Sequence, residues 1–213
     1  MTPEALSLTG IHIRLEPLHL DHVKALAAAA AADPSLYDEN IYRWTFVPQD
    51  IAEAALYIET ALGWRDEGTA VPFVVVRQSD NTVIGSTRFF NIERWPWPVG
   101  HERHDNPYPD VCEIGYTWYT RSAIRTAANT EGKFLMLQHA FEVWKVLRVS
   151  LNTDSRNLRS QAAMERIGFK REGLLRAQRI SSDFIPRDSV RYSMLPDEWP
   201  EAKQRLTERI QSS

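Results

Sequence analysis

Residues 111 to 132 read VCEIGYTWYT and then RSAIRTAANTEG. Period-two alternation predicts a strand over the first part. It puts Glu113, Gly115, Thr117 and Tyr119 on one face and Cys112, Ile114, Tyr116 and Trp118 on the other. Glu113 is then an inward or cleft-facing carboxylate in a largely apolar strand. The next residues, KFLMLQHAFEVW, repeat like a helix, whose start is placed near Asn129 or Thr130. The first amides of such a helix have no intrahelical partner, and its dipole adds partial positive charge. Arg125 contributes a full charge, and Ala127 and Ala128 keep the loop wall low. The chemistry offered is a seat for a diphosphate. Downstream, Asn157 is placed to cap another helix, with Ser160 in its first turn.

These residues need elements to hold them. IHIRLEPL at 11 to 18 alternates like an opening strand, and His19 to Ala32 reads as a helix ended by Asp33-Pro34. An irregular, partly ordered loop follows. Asp50 then caps a helix that runs until Gly68. AVPFVVVRQ and TVIGSTRFFNI form a hairpin around Ser79-Asp80-Asn81. The proline-rich stretch from 94 to 110 is no regular element. KVLRVSLNTD is a strand, NLRSQAAMERIG a helix ended by Gly168, and FKREGLLRAQRI with DSVRYSML a closing hairpin around 181 to 187. A last helix covers about 197 to 211. The order predicts one α/β domain over residues 1–213 with a mixed sheet.

EIGYTWY, RTAANTEGKFLMLQHAFE and RVSLNTDSRNLRSQAAMERIGFKREGLLR together resemble the GNAT acyltransferase superfamily, in the branch of RimJ/RimL-type ribosomal-protein alanine N-acetyltransferases. That branch carries N-x-x-S followed by G-F-x-x-E-G, matched by Asn157, Ser160, Gly168, Phe169, Glu172 and Gly173. Its cofactor loop runs Gln/Arg-x-x-Gly-x-Gly/Ala. Ile124, Ala127 and Asn129 stand at those positions and all three depart from the pattern. The similarity covers roughly 70 to 180 clearly and the N-terminal third in outline.

The resemblance implies a mostly antiparallel central sheet of about seven strands, flanked by helices, with the family's fourth and fifth strands (here VCEIGYTWYT and RVSLN) splayed apart. It implies acetyl-CoA, with its pantetheine arm against the backbone of Trp118, Tyr119 and Thr120. The pyrophosphate would sit on Arg125, Thr126, Ala127, Ala128, Asn129 and Thr130, and Asn157 would contact the arm. Acetyl transfer from a thioester to an amine needs a neutral amine, a stabilised oxyanion and a proton for the thiolate. Glu113 is the candidate base or amine anchor; its plain structural alternative is pairing with an arginine. Ser160 is the candidate general acid, with water as alternative, because no tyrosine occurs between Tyr119 and Tyr192. The acceptor is an amine on a protein N-terminus or a small molecule, its specificity lying in loops 33 to 49, 93 to 110 and 181 to 187.

Composition narrows the field. A net charge of -3 over 213 residues gives no reason to expect nucleic acid or a membrane surface. Cys112 is the only cysteine, which excludes an internal disulfide and fits reduced, cytoplasmic conditions. MTPEALSLTG lacks the marks of a signal peptide, and ALAAAAAA is too short to span a bilayer. No G-x-G-x-x-G or G-K-[ST] loop supports dinucleotide or nucleotide binding. His101 and His104 read as solvated rather than as metal ligands, since no third ligand supports them, and no metal is expected. Tyr37, Tyr42, Trp44, Trp95 and Trp97 line an acceptor pocket, form an oligomer contact or cover the core edge; a homodimer is one expectation. The competing reading is a non-catalytic acyl-CoA-binding or scaffold protein of the same fold.

Overall fold

The computed structural model describes residues 6–38, 41–182 and 184–212, the side chains of residues 37 and 38 excepted, so that of Tyr37 lies outside the described set. One sheet contains β1 Leu8–Thr9, β2 Ile13–Pro17, β3 Val71–Arg77, β4 Val83–Glu93, β5 Val111–Tyr119, β6 Arg148–Asp154, β7 Lys170–Ile180 and β8 Pro186–Met194. The spatial order is β1-β2-β3-β4-β5-β6-β8-β7. All described pairings are antiparallel except β5 with β6. The helices are α1 Val23–Ala31, α2 Ser35–Asp38, α3 Ile51–Asp66, α4 Ala127–Gln138, α5 Leu158–Arg166 and α6 Trp199–Gln211. The α/β class and the mixed, mostly antiparallel sheet agree with the sequence.

Strand β3 (VPFVVVR) is buried through its middle because helices cover both faces of the sheet there. On one face Val74, Val76 and Trp118 pack with Leu26 and Ala30 of α1 and with Tyr57 and Ile58 of α3. On the other, Phe73, Val75, Phe89, Ile114 and Tyr119 pack with Leu135 and Met136 of α4 and with Leu206 of α6. Truncating a wholly buried ring such as Phe73 to alanine costs about 3–5 kcal/mol. Helix α3 starts where expected, with the Asp50 carboxylate accepting from the Glu53 amide at 2.8 Å. Its N3 glutamate reaches back to the Gln49 amide at 2.9 Å.

Several expectations need correction. The sheet has eight strands rather than about seven, because Leu8–Thr9 adds a short edge to β2. What turns the chain from β1 into β2 is the buried Glu131 of α4, whose carboxylate accepts from the amides of Ile11, His12 and Ile13 at 2.6, 2.8 and 2.8 Å. Helix α4 begins at Ala127, earlier than Asn129 or Thr130, because the Thr126 hydroxyl caps it by accepting from Ala128 N. The closing hairpin is tighter than expected, since Pro186 and Arg187 already belong to β8. Finally, strict alternation fails along β5. Arg88 lies opposite Gly115 and Ser86 opposite Trp118, so β5 carries one extra residue there. Tyr116 absorbs this bulge with φ +51. Past it the faces swap: Trp118 joins Glu113 on the α1/α3 side, and Tyr119 joins Cys112 and Ile114 on the α4 side.

Candidate functional site

Strands β5 and β6 pair in parallel through Val111–Arg148, Cys112–Val149 and Glu113–Ser150, and no further. Strand β5 nonetheless continues to Tyr119 and β6 to Asp154. Beyond Glu113 and Ser150 these two strands therefore face each other without a ladder. Each then leads through a loop into a helix, α4 after β5 and α5 after β6, so both helix N-termini lie beyond the same carboxyl ends. That arrangement places unpaired strand edges and partial positive charge together, where ligands bind in α/β sheets.

Glu113 stands at the fork itself. It is 3% exposed. Its Oε1 accepts from the Asn152 amide at 2.8 Å and its Oε2 from the Asn91 amide at 3.1 Å. The alternative of an arginine pair is not what forms. Asn91 has φ +46 at an irregular point of β4, which puts its side chain within reach of Glu113. The sequence reading named neither asparagine; the available signal was their type, since Asn is disfavoured inside strands.

From Glu113 the same face continues across β6 and β8 as Ser150, Asn152 and Asp154, opposite Ser193, Arg191 and Ser189. Burial lowers the pKa of the Arg187 guanidinium, Arg179 adding to the shift while Asp154 and Glu113 oppose it. Burial acts to raise the Asp154 carboxyl, but the donors of Arg156 outweigh it and hold it below its usual value. Arg156 pairs with Asp154 at 2.6 Å and lies 5.4 Å over the Trp44 ring. The Ser182 hydroxyl donates to the Arg43 carbonyl, so the segments carrying Arg43 and Ser182 meet.

A family model for the acetyltransferase (GNAT) domain matches residues 12–170. The chain belongs to the GNAT acetyltransferase family. No curated protein matches it. Among solved structures, a GCN5-related N-acetyltransferase from Brucella melitensis is 27% identical, covering 98% of this chain and 86% of that one with a TM-score of 0.80. A structure ascribed to an acetyltransferase of T. thermophilus is 32% identical over 99% of this chain and 100% of its own, with a TM-score of 0.77. Mycobacterium smegmatis RimJ, in complex with CoA-disulfide, is 19% identical over 96% and 94% with a TM-score of 0.74, a likeness of fold.

Within this GNAT fold the predicted cofactor residues divide by what their side chains do. Trp118 is buried against Tyr42, ring centroids 6.0 Å apart. Tyr119 is in the core, its carbonyl accepting from the Tyr42 hydroxyl at 2.9 Å. Thr120 is buried, its hydroxyl 3.1 Å from that of Ser122. The Thr120 backbone is committed as well, its amide donating to the Ile84 carbonyl at 2.8 Å and its carbonyl accepting from the amides of Ala123 and Ile124 at 3.0 and 3.2 Å. Ala127 and Ala128 are buried, and with Ile13 and Ile84 they line a cleft of about 400 Å³. Arg125 and Asn129 are exposed, and Thr130 is half-buried. Arg125 takes the loop's left-handed conformation, φ +65, which a glycine would adopt without strain.

On α5, Asn157 caps the helix, its Oδ1 accepting from Ser160 N at 3.1 Å. Among the described residues, the Ser160 hydroxyl makes no hydrogen bond. The rest of that signature serves the fold. Gly168 has φ +101 after α5, and Glu172 pairs with Arg148 and takes the Ser193 hydroxyl at 2.8 Å. His101 stacks on Trp97 at 4.2 Å, and Trp97 donates to Asp110 at 2.9 Å. These contacts make part of the 94–110 stretch a structural cover. Among the described residues no helix is long and apolar enough to cross a membrane.

Proposed function

We propose that this chain transfers the acetyl group of acetyl-CoA to a primary amine on a protein N-terminus or a small molecule, within a ternary complex. The observation that carries this reading is Glu113, a buried carboxylate held by two neutral amides where β5 and β6 stop pairing. The coenzyme fits the residues around it. Strand edges beyond Glu113 and Ser150 carry unladdered backbone, and the amides of Ala127 and Asn129 precede the first intrahelical bond of α4. Arg125 lies beside them in sequence. Bound there, acetyl-CoA supplies an acetyl thioester.

The chain's own groups supply the rest. Glu113 takes a proton from the acceptor ammonium, directly or through water, leaving the nitrogen a free base. Asn91 and Asn152 fix both carboxylate oxygens, so the group that receives the proton keeps one orientation. Backbone groups of Trp118 and Tyr119 orient the coenzyme arm. Asn157 shapes the start of α5, and Ser160 Oγ, or water, delivers the proton that the departing sulfur requires. The match at Asn157, Ser160, Gly168, Phe169, Glu172 and Gly173 supports a place in the RimJ/RimL branch.

Calorimetric titration with acetyl-CoA and CoA, followed by thiol-release assays with amines, tests the reading. Saturable micromolar binding is expected, and no binding at millimolar ligand would overturn it. Binding without thiol release from any amine would favour the acyl-CoA-binding alternative.

A further inference from the structure

Arg88 of β4 faces α3 and is 1% exposed, the largest wholly buried side chain of the fold. No carboxylate pairs with it among the described residues, and its Nε and Nη2 have no hydrogen-bond partner. Its guanidinium carbon lies 4.4 Å from the Tyr116 ring centroid, 4.7 Å from Tyr57 and 5.4 Å from Trp64. Rings satisfy the flat faces of a guanidinium but offer no in-plane acceptor. Nε and Nη2 form one edge of the fork, the two parallel donors that grip a carboxylate bidentately. A buried cation with that edge unmatched is costly in a finished core and useful in a binding site.

Its location supports the second case. Arg88 lies directly opposite Gly115, and Glu113 lies opposite Phe90, so cation and carboxylate occupy neighbouring cross-strand positions on one face. Diagonal positions of that kind are about 7–8 Å apart at Cα. Two of the rings around Arg88, Trp64 and Tyr116, lie 5.4 Å apart at a tilt of 57°, and both are partly exposed. Tyr116 sits on the bulge with φ +51, and its partly exposed ring lies against the guanidinium.

We propose that Arg88 binds a carboxylate on the acceptor, making the acceptor a small amine of the amino-acid type rather than a polyamine. This rests on the acetyl-transfer reading and specifies its second substrate. The amine lies toward Glu113, the carboxylate on Nε and Nη2, and Tyr57 and Tyr116 flank the ion pair.

The test compares each common L-amino acid with its carboxamide, read by thiol release and by Trp64 fluorescence in the acetyl-CoA-loaded protein. At least one amino acid should exceed its amide by tenfold or more in kcat/KM and should alone change the fluorescence. Arg88→Met should bring that ratio near one, and so should Arg88→Lys, which keeps the charge but lacks the fork. Melting curves establish that each variant is folded, and the wild-type comparison stands if neither is. Equal rates for acids and amides would overturn the carboxylate site and leave acetyl transfer intact. A peptide amide as the best acceptor would overturn it in favour of a protein N-terminus. Absence of both turnover and a fluorescence response across the panel would also overturn it, whereas a fluorescence response to acids without turnover would sustain the site and sink the transfer reading.

Discussion

The Glu113 carboxylate on β5 accepts from the side-chain amide of Asn152 on β6 at 2.8 Å, just past the point where the two strands cease to pair. A backbone ladder is replaced there by a side-chain bridge. The bridge is neutral on the Asn152 side, and so is the second donor, Asn91. An arginine in either place would pin the negative charge and oppose proton uptake. Two amides, one on each oxygen, hold the carboxylate in one orientation.

Glu113→Gln keeps the shape of this bridge and removes the base. Thiol release is expected to fall by about 10²–10⁴-fold, the usual contribution of a positioned acid-base group, while calorimetric affinity for CoA stays the same. If affinity and turnover fell together, Glu113 would be part of the coenzyme seat and its assignment as base would be wrong.

Arg125 makes the loop's charge inseparable from its strain. Its φ of +65 is a left-handed conformation that costs a non-glycine residue about 1–2 kcal/mol. Arg125→Gly is expected to leave the protein no less stable yet weaken CoA binding. Arg125→Glu should weaken it further, and most at low salt, where the Debye length is longest. Titrations at two ionic strengths check this; an affinity loss independent of salt would remove Arg125 from the pyrophosphate seat.

Glu131 ties α4 to the start of the chain. It receives three consecutive amides, and hydrogen bonds to charged groups contribute about 1.5–3 kcal/mol each. Glu131→Ala is expected to destabilise by at least about 3 kcal/mol, with Tm lower by about 6–12 °C at this chain length. Hydrogen exchange at Ile11, His12 and Ile13 should lose its protection first. Retained protection there would show that the β1–β2 pairing holds without the carboxylate.

Much of the fold was legible because its signals are local and repeated. The hydrophobic run of β3 and the Asp50 cap are examples. What failed was long-range or a matter of one residue. The β5 bulge inserts a single residue and reverses every later face, so Trp118 and Tyr119 exchanged sides. The Thr126 cap moved the start of α4, which placed Ala127 in the first turn of the helix rather than in the loop before it. Glu131 binds residues more than a hundred positions away, beyond the reach of any periodicity. At the site, Glu113 was visible as a carboxylate among apolar neighbours. Asn91 and Asn152 were not, because only strand pairing brings them to it. Arg88 looked like one arginine in a strand until three rings closed around it.

Lys133 of α4 gives the pH dependence a definite sign. Its Nζ donates to the Thr117 hydroxyl at 3.1 Å, and no carboxylate pairs with it among the described residues. Burial pushes its pKa down to about 7 from an ordinary value of 10.5. Between those two values the unfolded chain holds a proton that the folded chain has released, so stability rises with pH across that window. Below about pH 7 both states are protonated and the whole cost of enclosing the cation is present; above about 10.5 neither is, and the cost is gone. Every tenfold loss of proton affinity on folding corresponds to about 1.4 kcal/mol at the protonated end. Lys133→Met keeps the apolar stem without the charge. It is expected to raise the urea midpoint at pH 6, by less at pH 8, and hardly at all at pH 10. Urea unfolding of both proteins at those three values measures it. A gain of the same size at every pH would mean that Lys133 holds its proton in the folded state, and that the Thr117 contact, rather than deprotonation, offsets the cost of its burial.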